Sequence, residues 1–467
     1  MVFSSPIFLF TFLPAVYLIY QLLPGIRSRN LWLALASLVF YTFGQPRYLP
    51  LLLVSVLVNY LFGLWLLSGR RRNMAMAGAA VCNLLMLGTF KYLDFFLHTA
   101  NSLAGLSLPL PGILLPIGIS FYTFQGMSYV IDVYRDPKEG TRSLGKLILY
   151  ISFFPQLIAG PIIKYHDVSR QIDERRLTPE GTLFGLRRFI TGLGKKLLLA
   201  NTAGQVADAV FALTAGQLDA RLAWLGAVSY TLQIYFDFSG YSDMAIGLGA
   251  MFGFSFRENF TLPYTAKSIK EFWRRWHISL SSWFRDYLYI PLGGNRKGRF
   301  RTGLNKFIVF FTTGLWHGAN WTFVLWGLWH GLFSTLEDWK LVPKRLRESF
   351  LGHIYTMLVV VLGFTLFRAD SLKAAGVMFG AMFTGFSLSP AATLTLIALL
   401  DARTVCMLLT AILFAFGLPQ RAAKGLLGDG TAPLAQGAQT LAYAAVFILC
   451  VLNLSKATFN PFIYFQF

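Results

Sequence analysis

Apolar runs of roughly 17 to 25 residues alternate along this chain with short basic or turn-forming segments, a spacing set by the thickness of a hydrocarbon layer. Residues 7–23, 31–43 and 48–67 read as the first three spans, the second short and parted from the third at Gln45-Pro46. Further spans fall at about 74–98, 113–133, 147–163, 186–213, 222–252, 304–336, 351–367, 374–390, 393–416 and 436–454. The pattern predicts an all-α polytopic membrane protein with about 11–13 spans or re-entrant helices, forming one integral membrane domain over 1–467. Some runs are interrupted, as at Leu115-Pro116-Ile117-Gly118 and Ile158-Ala159-Gly160-Pro161. Broken helices persist in a membrane where they are buried in protein or line a cavity, so a central funnel is one reading and ordinary kinks the other.

One stretch, 257–306, departs from this rhythm by being polar, basic and aromatic. Within 268–283, Ile269, Phe272, Trp273, Trp276 and Leu280 recur at helical spacing, while Lys270, Arg274, Arg275 and Arg285 fall on other faces. The segment predicts an amphipathic helix on anionic lipid at the cytosolic side, or a vestibule in which Arg274, Arg275, Trp273 and Trp276 receive the phosphates of an acyl donor.

Composition agrees with lipid as the solvent: 55% of the residues are hydrophobic, 13% are charged and the mean hydropathy is +0.56. The net charge of +20 sits in short clusters between spans, such as Arg70-Arg71-Arg72 and Arg296-Lys297-Gly298-Arg299-Phe300-Arg301. That is a positive-inside pattern, not a nucleic-acid surface. The first 26 residues carry no charged side chain, so 7–23 is expected to be a retained span with the amino terminus outside. Cys82, Cys406 and Cys450 lie in apolar stretches with no CxxC spacing, and neither disulfides nor zinc are expected.

Against this background a titratable group inside a span needs a reason. His317 is such a group, in Leu315-Trp316-His317-Gly318-Ala319-Asn320-Trp321, and His277 stands forty residues upstream in the basic segment. Leu-Trp-His-Gly recurs at His330; on one helix the thirteen-residue spacing is about 1300° of rotation, which leaves His317 and His330 on roughly opposite faces and unsuited to share a metal. Asp237 and Asp243 lie six residues apart in another span, about 600° of rotation, so they point to different sides. Each is expected to form an ion pair, or one of them to orient an imidazole. His98, His166 and His353 are read as span-end or loop residues without a role. Nucleophile-elbow, P-loop and HExxH patterns are absent.

Several of these motifs together resemble the membrane-bound O-acyltransferases, and among them the bacterial subgroup of membrane subunits for alginate and cellulose O-acetylation. The resemblance is carried by Met1-Val2-Phe3-Ser4-Ser5, Phe153-Phe154-Pro155-Gln156-Leu157-Ile158-Ala159-Gly160-Pro161, Tyr235-Phe236-Asp237-Phe238-Ser239-Gly240-Tyr241-Ser242-Asp243-Met244-Ala245, Phe272-Trp273-Arg274-Arg275-Trp276-His277-Ile278-Ser279-Leu280, Tyr289-Ile290-Pro291-Leu292-Gly293-Gly294-Asn295 and Leu315-Trp316-His317-Gly318. D-alanyl transferases of teichoic acid share several of them. The resemblance implies a multi-helix bundle around a funnel, His317 as the essential histidine and His277 as the second. His317 would accept a proton from an attacking hydroxyl while Asn320, Trp316 or His277 donates to the oxyanion. The donor implied is acetyl-CoA or another acyl thioester, with no permanently bound cofactor. A periplasmic acetyltransferase-like or esterase-like protein and an exopolysaccharide export machinery are the partners implied, in a bacterial inner membrane. The ending Asn460-Pro461-Phe462-Ile463-Tyr464-Phe465-Gln466-Phe467 reads as an interfacial anchor, or, by the resemblance, as a tail whose Tyr464 relays the acyl group. A polysaccharide or lipid transporter and a non-catalytic scaffold are the other classes open to such a chain.

Overall fold

The computed structural model describes residues 1–427, 433–455 and 462–463. It is 79% helical and has no strand among the described residues, as the apolar runs predict. Among the described residues, four helices are long and apolar enough to cross a membrane, Pro46–Leu67, Arg72–Ala104, Phe350–Arg368 and Ala435–Leu454. A fifth is added if Pro390–Leu399 and Ala402–Ala415, bent by 75° at their junction, count as one. The bend falls where Asp401 caps the second helix, its carboxylate accepting the Thr404 N–H at 2.7 Å, so the run expected over 393–416 is two pieces. The run at 113–133 becomes helical only at Ile119, after Gly118 at φ +80°.

The chain forms two compact units. The first comprises Met1–Phe189 and Ser242–Arg257. Its core includes Phe3, Phe8, Phe12, Phe40 and Phe154, whose ring centroids lie 5.0–6.4 Å apart. Asn59 and Asn83 exchange amide hydrogen bonds of 3.1 and 2.9 Å between two neighbouring helices, the expected way to bury polar groups within a bundle. The interrupted runs are satisfied within the unit, since Gln45 Oε1 accepts the Ile117 N–H at 2.7 Å and Ser37 Oγ accepts the Phe154 N–H at 3.1 Å.

The second unit comprises Ile190–Tyr241 and Glu258–Ile463. Six helices position its chemistry: α1 (Ala220–Met251, which continues into the first unit), α2 (Ile269–Arg275), α3 (Ile278–Phe284), α4 (Gly298–His317), α5 (Trp321–Asp338) and α6 (Phe350–Arg368). Two differences from the sequence reading matter here. The apolar run 304–336 is not one helix but the hairpin α4–α5, because Gly318 is extended at φ −169° and Asn320 starts a new helix by accepting the Thr322 N–H at 3.2 Å. The amphipathic helix expected over 268–283 is likewise two short helices, since Trp276 is extended and His277 is left-handed at φ +43°. Trp276 enforces this break, buried against Phe260 at 5.0 Å, Phe364 at 5.1 Å and Phe272 at 5.5 Å.

Candidate active site

The hairpin turn brings His317 to the carboxyl end of α4, where it is 3% exposed and walled by rings. Trp316 and Trp326 both lie 5.0 Å from it, and Phe367 of α6 lies 5.3 Å away. Close crossing of α4 and α5 depends on glycine at 314 and 327: a Cβ at Gly327 would collide with the Phe310 carbonyl oxygen and stand 3.1 Å from its carbon.

His277 faces this group from the α2–α3 junction, with its ring centroid 6.4 Å from that of His317 and 6.0 Å from Trp316. It is fully buried, with Phe238 of α1 edge-on at 4.5 Å. Asn259 holds the ring, its Oδ1 lying 3.3 Å from His277 Nδ1. The same oxygen accepts the Ser279 N–H at 3.1 Å, which sets the orientation of the amide. A left-handed histidine is a strained conformation of order 1 kcal/mol, here held by Trp276 on one side and Asn259 on the other.

A third imidazole, His330, belongs to the same wall. It is fully buried against Trp273 at 5.2 Å and Trp326 at 5.3 Å. The sequence reading set His317 and His330 on opposite faces of one helix; the hairpin instead puts both against Trp326.

Of the other residues singled out in the sequence, Trp316 joins the two histidines. Asn320 does not, because its oxygen caps α5 and its Nδ2 donates to the Asp370 carbonyl at 3.0 Å. Both aspartates form ion pairs: Asp243 with Arg188 at 2.7 Å in the first unit, and Asp237 with Lys196 in the second. Tyr464 lies outside the described residues.

Trp273 and Arg274 line a cavity of about 540 Å³ together with Lys270, Tyr289, Arg299, Thr302, Lys306, Asp338 and Trp339. Arg275 is instead held by Glu271 at 2.7 Å and Trp276 is buried, so those two do not line it. Asp338 pairs with both Lys270 and Lys306. A second, mostly apolar cavity of about 180 Å³ shares Trp273, Tyr289 and Lys306 with the first and reaches Val309, Phe310 and Thr313. Thr302, Lys306, Val309, Thr313 and His317 fall on one stripe of α4, so both cavities follow the helix face that ends in His317, one turn beyond Thr313. Glu337, 1% exposed, anchors α2 beside this stripe by accepting the Ile269 and Lys270 N–H groups at 2.7 and 3.2 Å. Sequence reasoning missed Asn259, Glu337 and Lys306, which only contact distances reveal; the signal available for Glu337 was an acid at the end of an apolar run.

Residues 138–355 match the profile of the MBOAT family, the membrane-bound O-acyltransferases. A probable alginate O-acetylase of Pseudomonas putida is 43% identical over 497 residues, covering 100% of both chains. This chain belongs to the membrane-bound O-acyltransferase family. The probable alginate O-acetylase of Azotobacter vinelandii is 42% identical, again over 100% of both chains. A peptidoglycan O-acetyltransferase of Helicobacter pylori is 37% identical over 80% of this chain and 78% of its own length. Membership makes the protein a membrane-embedded O-acyltransferase.

Proposed function

We propose that the protein takes an acetyl group from a cytosolic thioester, acetyl-CoA or another acyl thioester, and passes it across a bacterial inner membrane for O-acetylation of an exopolysaccharide, alginate in the first instance. The observation that carries this reading is the single stripe of α4 that runs from the basic cavity past the apolar one to His317. Cations at the mouth favour the phosphates of the donor, the apolar stretch takes its uncharged arm, and the thioester arrives at the imidazole. There, His317 accepts the proton of an attacking hydroxyl as oxygen bonds to the carbonyl carbon; the C–S bond then breaks and the imidazolium returns the proton to the departing thiolate. Trp316 is the donor for the oxyanion, since it stands against His317 with a ring-centroid distance of 5.0 Å while Asn320 is committed elsewhere. Similarity to alginate O-acetylases and to a peptidoglycan O-acetyltransferase favours acetyl over D-alanyl as the acyl group and a polysaccharide as its destination. The route outward is through Tyr464 to a periplasmic transferase of the export machinery, with the amino terminus periplasmic. The test is His317→Ala: acetylation of the polymer is expected to fall by roughly 10²- to 10⁴-fold at normal protein abundance. Near-normal acetyl content would overturn the assignment.

A further inference from the structure

Phe462 and Ile463, the last described residues, are buried in the second unit. The Ile463 N–H donates to Asp237 Oδ2 at 2.8 Å, while Oδ1 of the same carboxylate takes the Lys196 ammonium. Lys196 Nζ in turn stands 4.6 Å from the centroid of the Phe462 ring, which Tyr241 meets edge-on at 4.9 Å. Backbone and ring of the carboxyl-terminal segment are thus both bound by an ion pair already fully formed within the helices.

The pair is built for close approach. Lys196 comes from a π-helical turn, Lys195–Ala200, and Gly240 of α1 admits that turn: a Cβ there would lie 2.8 Å from the Gly192 carbonyl oxygen and 3.3 Å from the Lys196 nitrogen. Single π turns and buried intramembrane charges both concentrate at functional positions. An ion pair serving α1 alone would need no third partner, yet this one spends its second carboxylate oxygen on a backbone N–H 226 residues away in sequence. One residue along α1 from Asp237, Phe238 forms a wall of the His277 pocket at 4.5 Å.

We propose that Lys196, Asp237 and Tyr241 form a docking site for the carboxyl-terminal aromatic segment, and that Lys196 and Asp237 are positioning residues for acyl transfer through it. The positioning role rests on the reading of Tyr464 as acyl relay, because Tyr464 is the next residue after the anchored Ile463; docking itself does not.

The test uses the full-length protein in native membranes, with Cys82, Cys406 and Cys450 replaced by Ser and Gln466→Cys as a reporter for a membrane-impermeant maleimide. Phe462→Ala removes the ring under Lys196 while leaving the ion pair intact, and Asp237→Ala removes the anchor. Each is expected to raise labelling per molecule about tenfold and to lower polymer acetylation correspondingly. Phe462→Tyr, which keeps a ring, is expected to restore both, and Asp237→Asn, which keeps an acceptor for Ile463, to fall between. A purely structural role would reduce abundance without raising labelling per molecule. Unchanged labelling in Phe462→Ala and Asp237→Ala overturns docking; a released tail with wild-type acetylation overturns positioning. Tyr464→Phe is expected to keep labelling low and lose acetylation. If acetylation survives that change, the relay fails and the positioning role with it, and labelling alone decides the docking site.

Discussion

His277 differs from His317 in how it is held. Its ring is clamped by Asn259 and Phe238 and its backbone is strained, whereas His317 terminates a regular helix. On the proposed mechanism, a group oriented this firmly, 6.4 Å between centroids from the other histidine, sets the position and polarity around His317 while His317 exchanges the substrate proton. His277→Ala is therefore expected to lower acetylation roughly 10- to 100-fold at normal abundance, a smaller loss than for His317→Ala. Acetyl content of the polymer, normalised to membrane protein, checks it; equal losses for the two variants would give both histidines the same step.

The elements that carry the site meet at tightly packed junctions. The α4–α5 hairpin depends on bare backbone at Gly314 and Gly327, and α2 on the carboxylate of Glu337. Gly327→Ala would drive a methyl group into the Phe310 carbonyl, an overpacking cost of about 1–3 kcal/mol. The expected outcome is a lowered unfolding temperature in detergent together with reduced acetylation, because separating α4 from α5 moves Trp326 away from His317. Unchanged melting would show that the hairpin tolerates a wider crossing. From sequence, the apolar character of 304–336 was plain, but the turn inside it rests on Gly318-Ala319-Asn320, three residues whose capping geometry competes with an uninterrupted hydrophobic signal.

On the scale of the molecule, stability also draws on polar contacts within the first unit. In the first unit His166 Nδ1 lies 2.9 Å from Asp132, and this hydrogen bond, more than the partial burial that opposes it, raises the His166 pKa above its ordinary value. A raised folded-state value stabilises the fold fully below the unfolded pKa of about 6.5, and that contribution disappears as pH rises through the folded value. His166→Gln is thus expected to lower the unfolding temperature at about pH 5.5 and to match the wild type at about pH 9. Thermal unfolding of the detergent-solubilised protein across that range checks the sign; a gap that widens with pH would contradict it.

Hydropathy by itself determined that the chain is helical and membrane-embedded, because a span must bury its own backbone hydrogen bonds and advertise its length as an apolar run. It also singled out His317, since a titratable group inside a span is conspicuous, whereas His277 stood in the basic segment and Trp316 came in only through the family resemblance. What only the tertiary structure decided is how these residues meet. The break at His277 requires Trp276 to be claimed by Phe260 and Phe364, His330 reaches the wall shared with His317 only after the hairpin folds back, and Asp237 acquires its partners from Lys196 and from Ile463, 41 and 226 residues away. Such contacts depend on packing between segments distant in sequence, which leaves no periodic trace in either segment alone.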